Sequence, residues 1–169
     1  MDNDSHFEGE LETNGVLQSK YLTFHLDDVE YGINIHYVVE IVCMQRITEL
    51  PDTPPALRGI INLRGKVIPV LDLRLRFSMA ERDYDERTSV IVVNIQNASI
   101  GLICDEVAEV VDIDKNKISP PPTIQSKPDA NEFMEGIGRR EDGEVVVLLN
   151  ADKIVGNVDQ WDVETELVE

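Results

Sequence analysis

The residue types best suited to metal binding or nucleophilic attack are few and scattered. His6, His25 and His36 share no ligand spacing with Cys43 or Cys104, and no C-x-x-C occurs, so a zinc site is not expected. Asp112-Ile-Asp114-Lys-Asn116 has the opening spacing of a calcium loop. Lys117 stands where its sharp turn needs glycine, and Thr123 where a bidentate glutamate belongs, so these residues are read as loop solubilisers. There is no G-x-x-x-x-G-K-[ST] cradle for phosphate, and Gly136-Ile-Gly138 is too short for a dinucleotide fingerprint. No G-x-S-x-G nucleophile elbow is present. Cys43 and Cys104 both lie in apolar runs and are expected to be buried, reduced and inert. The expectation is a chain with no catalytic residue, no metal and no cofactor.

What remains is charge. The chain carries 33 acidic and 15 basic residues in 169, a net charge of −18. A polyanionic partner would be repelled, so nucleic acid is not expected. An oligonucleotide-binding barrel would also need stacking aromatics, and aromatic residues are only 5%. Residues 1–19 hold five acids and no Lys or Arg, and residues 157–169 hold five more, again with no base. Both are expected to be solvated acidic tails, leaving one domain over 20–156. The acidic start is unlike a signal peptide, and no apolar run is long enough for a membrane span, so a cytoplasmic chain without membrane insertion is expected. One stretch runs the other way. Arg58, Arg64, Lys66, Arg74 and Arg76 face a single acid, Asp72, and are read as either a stripe for an acidic partner or solvent-facing strand residues.

The elements that must position these side chains are short strands. Tyr21–Leu26 and Glu30–Ile35 alternate with period two about Asp27-Asp28, which predicts a hairpin. Asn34 is expected to cap a short helix whose stripe is Ile35, Val38, Val39 and Val42. After the break at Leu50–Pro55, two strands fold about Arg64-Gly65-Lys66, with Gly65 at positive φ. Pro69 cannot donate to a ladder, which predicts an edge strand or bulge there. Ser89–Ile95 reads as a strand buried on both faces, Asp142-Gly143 as the turn of a hairpin, and Asn150 as the cap of a last helical turn stopped by Gly156. The class is all-β with short helices, built as small barrels.

Glu30-Tyr-Gly-Ile, Gly59-Ile-Ile-Asn-Leu-Arg-Gly65 and Pro69-Val-Leu-Asp-Leu-Arg74 resemble the CheW-type chemotaxis coupling proteins, and the resemblance covers about residues 20–155. It implies two intertwined SH3-like five-stranded barrels and a non-catalytic scaffold. Its partners would be the chemoreceptor cytoplasmic tip and the histidine kinase CheA, whose regulatory domain has the same fold. It implies a place at chemoreceptor arrays on the inner membrane face; ring assembly with CheA stays open. Carried over by position, Arg64 in the turn, Glu40 and Val38 of the short helix, and Gly59 ahead of the motif are receptor-contact residues. Asn62 and Gly65 shape the turn. Val38 lies on the inward stripe and serves equally well as core, and Gly59 equally well as a strand start after the prolines. A second reading, a small β-barrel that binds a metabolite or acts as a hydrolase in a cleft, would need a pocket lined with convergent polar groups.

Overall fold

The structure is a computed structural model that describes residues 19–122 and 132–156. The expected acidic tails therefore lie outside the described residues, apart from Ser19. Eleven strands are described, named here in chain order: β1 Lys20–Leu26, β2 Val29–Asn34, β3 Val38–Cys43, β4 Leu57–Leu63, β5 Lys66–Asp72, β6 Ser89–Ile95, β7 Ala98–Cys104, β8 Glu106–Asp112, β9 Ile118–Ser119, β10 Met134–Arg139 and β11 Val145–Leu149. Two short helices join them, α1 (Leu73–Arg76) and α2 (Ala151–Val155).

The strands form two sheets, β8-β1-β2-β11-β10-β9 and β3-β6-β7-β5-β4. In the first, the margins β8 and β9 are consecutive in the chain and joined by a 3-10 turn at Lys115–Lys117. That link joins the two margins of the sheet, so its six strands curl into the first barrel. In the second, the chain leaving β3 returns to the opposite margin, where Thr48 and Ile60 exchange backbone hydrogen bonds of 2.8 and 2.9 Å. That contact closes the second barrel. The barrels are intertwined because β1 and β2 pair with β8 and β11, while the whole β3–β7 barrel lies between them in sequence.

Period-two burial on both strand faces explains why there are three apolar clusters. Ile91, Val93 and Ile95 face one way, and Val90 and Val92 the other. The first set meets Leu22, Phe24, Leu26, Ile33 and Leu102 between the barrels. The second fills the β3–β7 barrel with Ile61, Ile68, Val70 and Ile103. Tyr21, Ile113, Val146 and Leu148 fill the other barrel. The expected buried strand at Ser89–Ile95 is present.

Three expectations need correction. Asn34 does cap a turn, its Oδ1 accepting from the His36 N–H at 2.9 Å, but the helix is a single 3-10 turn, Ile35–Tyr37. Val38–Cys43 is a strand, half-buried and exposed in strict alternation. β-branched side chains fit a pleated surface better than a helix, and pairing with β6 decides the conformation. Pro69 lies on an interior strand: β5 is flanked by β4 and β7. Ile60, its partner across β4, spends both backbone groups on Thr48, so the pair is a non-hydrogen-bonded one. On the other side the first β5–β7 pair is Val70 with Gly101, one residue later. The missing N–H therefore falls at the margin of the ladder. Finally, Cys43 is exposed at the outward end of β3, and only Cys104 is buried. Burial pushes the Cys104 thiol up to about 12, helped by the neighbouring Asp105 charge.

Candidate partner-binding surface

Arg64 and Gly65 form the two-residue turn between β4 and β5, with φ of 53° and 83°. Two successive positive φ values are what a tight hairpin requires. The Asn62 Oδ1 accepts from the Gly65 N–H at 2.9 Å, bridging the turn. The turn tip leans over β3, where Arg64 Nη2 donates to both Glu40 oxygens at 2.6 and 2.5 Å. Arg64 is 69% exposed and Glu40 31%, so the pair contributes at most about 1 kcal/mol to stability. Its effect is positional. Among the described residues nothing accepts from Nε or Nη1 of Arg64, so two faces of the guanidinium stay open to a partner.

Beside this pair, Val39 and Ile41 point outward from β3 at 57% and 44% exposure. The strand is a sheet margin, paired only with β6 along its length. The same margin strand thus exposes two apolar side chains and carries the held Glu40 charge at the position between them. Val38 is half-buried against the inter-barrel core and opposite Val93. Gly59 is buried well down β4, four residue pairs from the turn, where it meets Thr48. At φ 147°, a Cβ there would stand 2.2 Å from the Thr48 carbonyl oxygen, so glycine is needed for the contact that closes the barrel. Glu40 and Arg64 are thus brought together, whereas the register shift between Val38 and Glu40 turns Val38 to the inter-barrel side, and Gly59 acts at the barrel closure.

The basic run does not form a free stripe. Arg58 pairs with Glu81 at 2.9 Å, and Arg76 donates to the Ile154 carbonyl at 2.7 Å and lies over the Phe133 ring. Arg74 is buried, 6% exposed, and belongs to a charge cluster that sequence reading did not find. Its Nε and Nη2 donate to Asp105 at 2.7 and 2.6 Å, and Nη2 also reaches Asp27. Asp105 in turn accepts from the Asp27 N–H at 2.9 Å and from Arg82 at 3.1 Å. Burial alone would raise the Asp105 carboxyl, but the bonds from Arg74 and the Asp27 N–H, together with the Arg74 and Arg82 charges, outweigh it and hold it below the usual carboxylate range. These contacts tie the β1–β2 turn to α1 and the β7–β8 corner, fastening one barrel to the other. In the sequence the cluster left only separate parts, the Asp27-Asp28 turn signal and Arg74 at the end of the Pro69–Arg74 motif.

Among the described residues no group of three or more His, Cys, Asp or Glu is placed to hold a metal ion. No described helix is long and apolar enough to cross a membrane.

With this geometry in view, the comparisons with known proteins agree. Residues 20–159 match the CheW-like domain family. The chain is 33% identical over 138 residues to the chemotaxis protein CheW of Klebsiella aerogenes, covering 82% of each chain. It is 33% identical over 113 residues to CheW of Bacillus subtilis, covering 66% of this chain and 72% of that one. The crystal structure of the scaffolding protein TtCheW from Thermoanaerobacter tengcongensis superposes with a TM-score of 0.74 at 37% identity, covering 83% of this chain and 94% of that chain. Resemblance, architecture and matched length converge, and the chain belongs to the CheW-like family.

Proposed function

We propose that the chain is a non-catalytic adaptor that couples chemoreceptors to the histidine kinase CheA in chemotaxis signalling. The carrying observation is the family match, which spans both barrels and everything that holds them together. The chemotaxis and scaffolding names of its relatives favour this reading over a metabolite-binding or hydrolytic barrel. The β3 margin and the β4–β5 turn are the receptor surface in this proposal. Arg64 supplies the contacting charge, Glu40 aims it, Val38 props the strand from below, and Gly59 permits the closure that brings turn and strand together. The exposed Val39 and Ile41 supply apolar contact of the kind an amphipathic helical tip would bury.

Residues 20–156 carry the binding in this proposal, and the tails 1–19 and 157–169 do not. The regulatory domain of CheA, of the same fold, pairs with it barrel to barrel. The chain reaches arrays on the inner membrane face through these partners, without inserting into the membrane. Capture on immobilised CheA and, separately, on a receptor cytoplasmic fragment tests the assignment. Retention by both supports it, and retention by neither overturns it.

A further inference from the structure

On the outer face of the first barrel, β9, β10 and β11 lie side by side. The β9–β10 register pairs Ser119 with Ile137 and Ile118 with Gly138, and the next residue of each chain is a cation, Lys117 at the end of the 3-10 turn and Arg139 at the end of β10. Arg139 pairs on its other side with Val145, which is 52% exposed. Two like charges lining one pocket repel. In a chain with 33 acids, a carboxylate between them would be the ordinary remedy. Among the described residues, neither Lys117 nor Arg139 has one within salt-bridge distance, whereas the adjacent Arg140 gathers Glu30, Glu109 and Asp142. The two cations line a surface pocket of about 300 Å³ together with Asn116, Ser119, Ile137 and Val145. It offers two positive charges, an amide and a hydroxyl over an apolar floor, which suits an acidic peptide carrying some apolar side chains.

The chain's own N-terminal arm leads into Ser19, just before β1, which pairs with β8. The Ser19 carbonyl accepts from the Ile113 N–H at 2.8 Å, and Ile113 lies four positions before Lys117. The Ile113 side chain abuts Gly138, the neighbour of Arg139. Residues 1–18 contain Asp2, Asp4, Glu8, Glu10 and Glu12 with Phe7 and no Lys or Arg. At about 3.3 Å per residue, Glu12 can reach any point within about 23 Å of Ser19. The C-terminal tail departs elsewhere, from Gly156, whose carbonyl accepts from Gln96 at the β6–β7 turn. We propose that the acidic N-terminal arm docks intramolecularly on the Lys117–Arg139 pocket, neutralising the cation pair and screening it from other acidic chains.

The test is amide NMR of the full-length chain. Replacing Glu8, Glu10 and Glu12 together by Gln should move the resonances of Lys117, Ser119, Arg139 and Val145 and leave those of the β3 strand in place. About 1 M NaCl, where the screening length falls to about 3 Å, should move the same set in the same direction. Lys117→Gln with Arg139→Gln should reciprocally move resonances of residues 8–12. If that variant does not fold, the arm substitutions decide alone, since they lie outside both barrels. Pocket resonances that stay put when the arm is neutralised would overturn the proposal. So would movement confined to another face, or pocket resonances that respond only when Glu164, Glu166 and Glu169 of the other tail are replaced. A response to added polyglutamate but not to the arm substitutions would assign the pocket to a foreign acidic chain, against the proposal.

Discussion

Arg64 reaches across 24 residues of sequence to grip both carboxylate oxygens of Glu40, joining a hairpin tip on one margin of the β3–β7 barrel to the strand on the other. The two residues are exposed enough that their pairing contributes little to holding the fold. Reversing the charge at position 64 should therefore separate binding from stability. Arg64→Asp is expected to change unfolding free energy by no more than about 1 kcal/mol. Its affinity for a receptor fragment should fall by about 2 kcal/mol or more, the lower end for losing a desolvated interfacial charge pair. Kinase affinity should not change. Thermal unfolding and separate titrations with each partner check all three.

Gly59 and Gly65 should respond unequally to a methyl group. Gly59→Ala drives a Cβ to 2.2 Å from a backbone oxygen that is itself engaged in closing the barrel. A loss of about 2 kcal/mol or more is expected, combining overpacking with an unfavourable φ. Gly65→Ala meets nothing within 4 Å and bears only the cost of positive φ, about 1 kcal/mol. Urea unfolding of the two variants should rank them in that order.

Arg74→Ala should be the most damaging single charge deletion. It leaves Asp105, 11% exposed, without the guanidinium that holds it, and frees the β1–β2 turn from the opposite barrel. Removing one partner of such a buried pair costs roughly 3–5 kcal/mol. Chemical denaturation should show that loss, and hydrogen exchange should show it first as faster exchange at the β1–β2 turn.

The same cluster makes stability acid-sensitive. The Asp105 carboxyl is held below its unfolded value of about 3.9, so its contribution is present above that pH and disappears as pH falls through the folded value. Asp105→Asn is expected to be less stable at neutral pH, yet to lose less on acidification below about pH 4 than the native chain. Melting temperatures from pH 7 down to acid would reveal the shallower slope.

Much of the fold was legible because strands advertise themselves by alternation and hairpins by their turns. Leu22, Phe24 and Leu26 fall on one face as their spacing required, and the turns at Asp27, Gly65 and Gly143 occur where those residues predicted them. The β3 strand was misread because Ile35, Val38, Val39 and Val42 also satisfy a helical stripe. A six-residue segment cannot distinguish the periods, and the partner strand β6, some fifty residues later, settles it. The charge pairs were illegible for a similar reason. Arg74 meets acids 31 and 47 residues away, and Arg140 meets Glu30 across 110. A run of basic residues in sequence is not a basic surface when the fold delivers a carboxylate or a carbonyl to most of them. At the candidate site, Arg64 and Glu40 were recognisable only through the family motif; their pairing needed the closed barrel.

The central claim is that one small chain holds two proteins at once on different surfaces. Sedimentation of the full-length chain with CheA and a receptor cytoplasmic fragment measures this directly. The account predicts a complex containing all three, from which Arg64→Asp removes the receptor and leaves the chain bound to the kinase. If the receptor fragment and CheA displace one another, or neither co-sediments with the chain, the adaptor reading is contradicted.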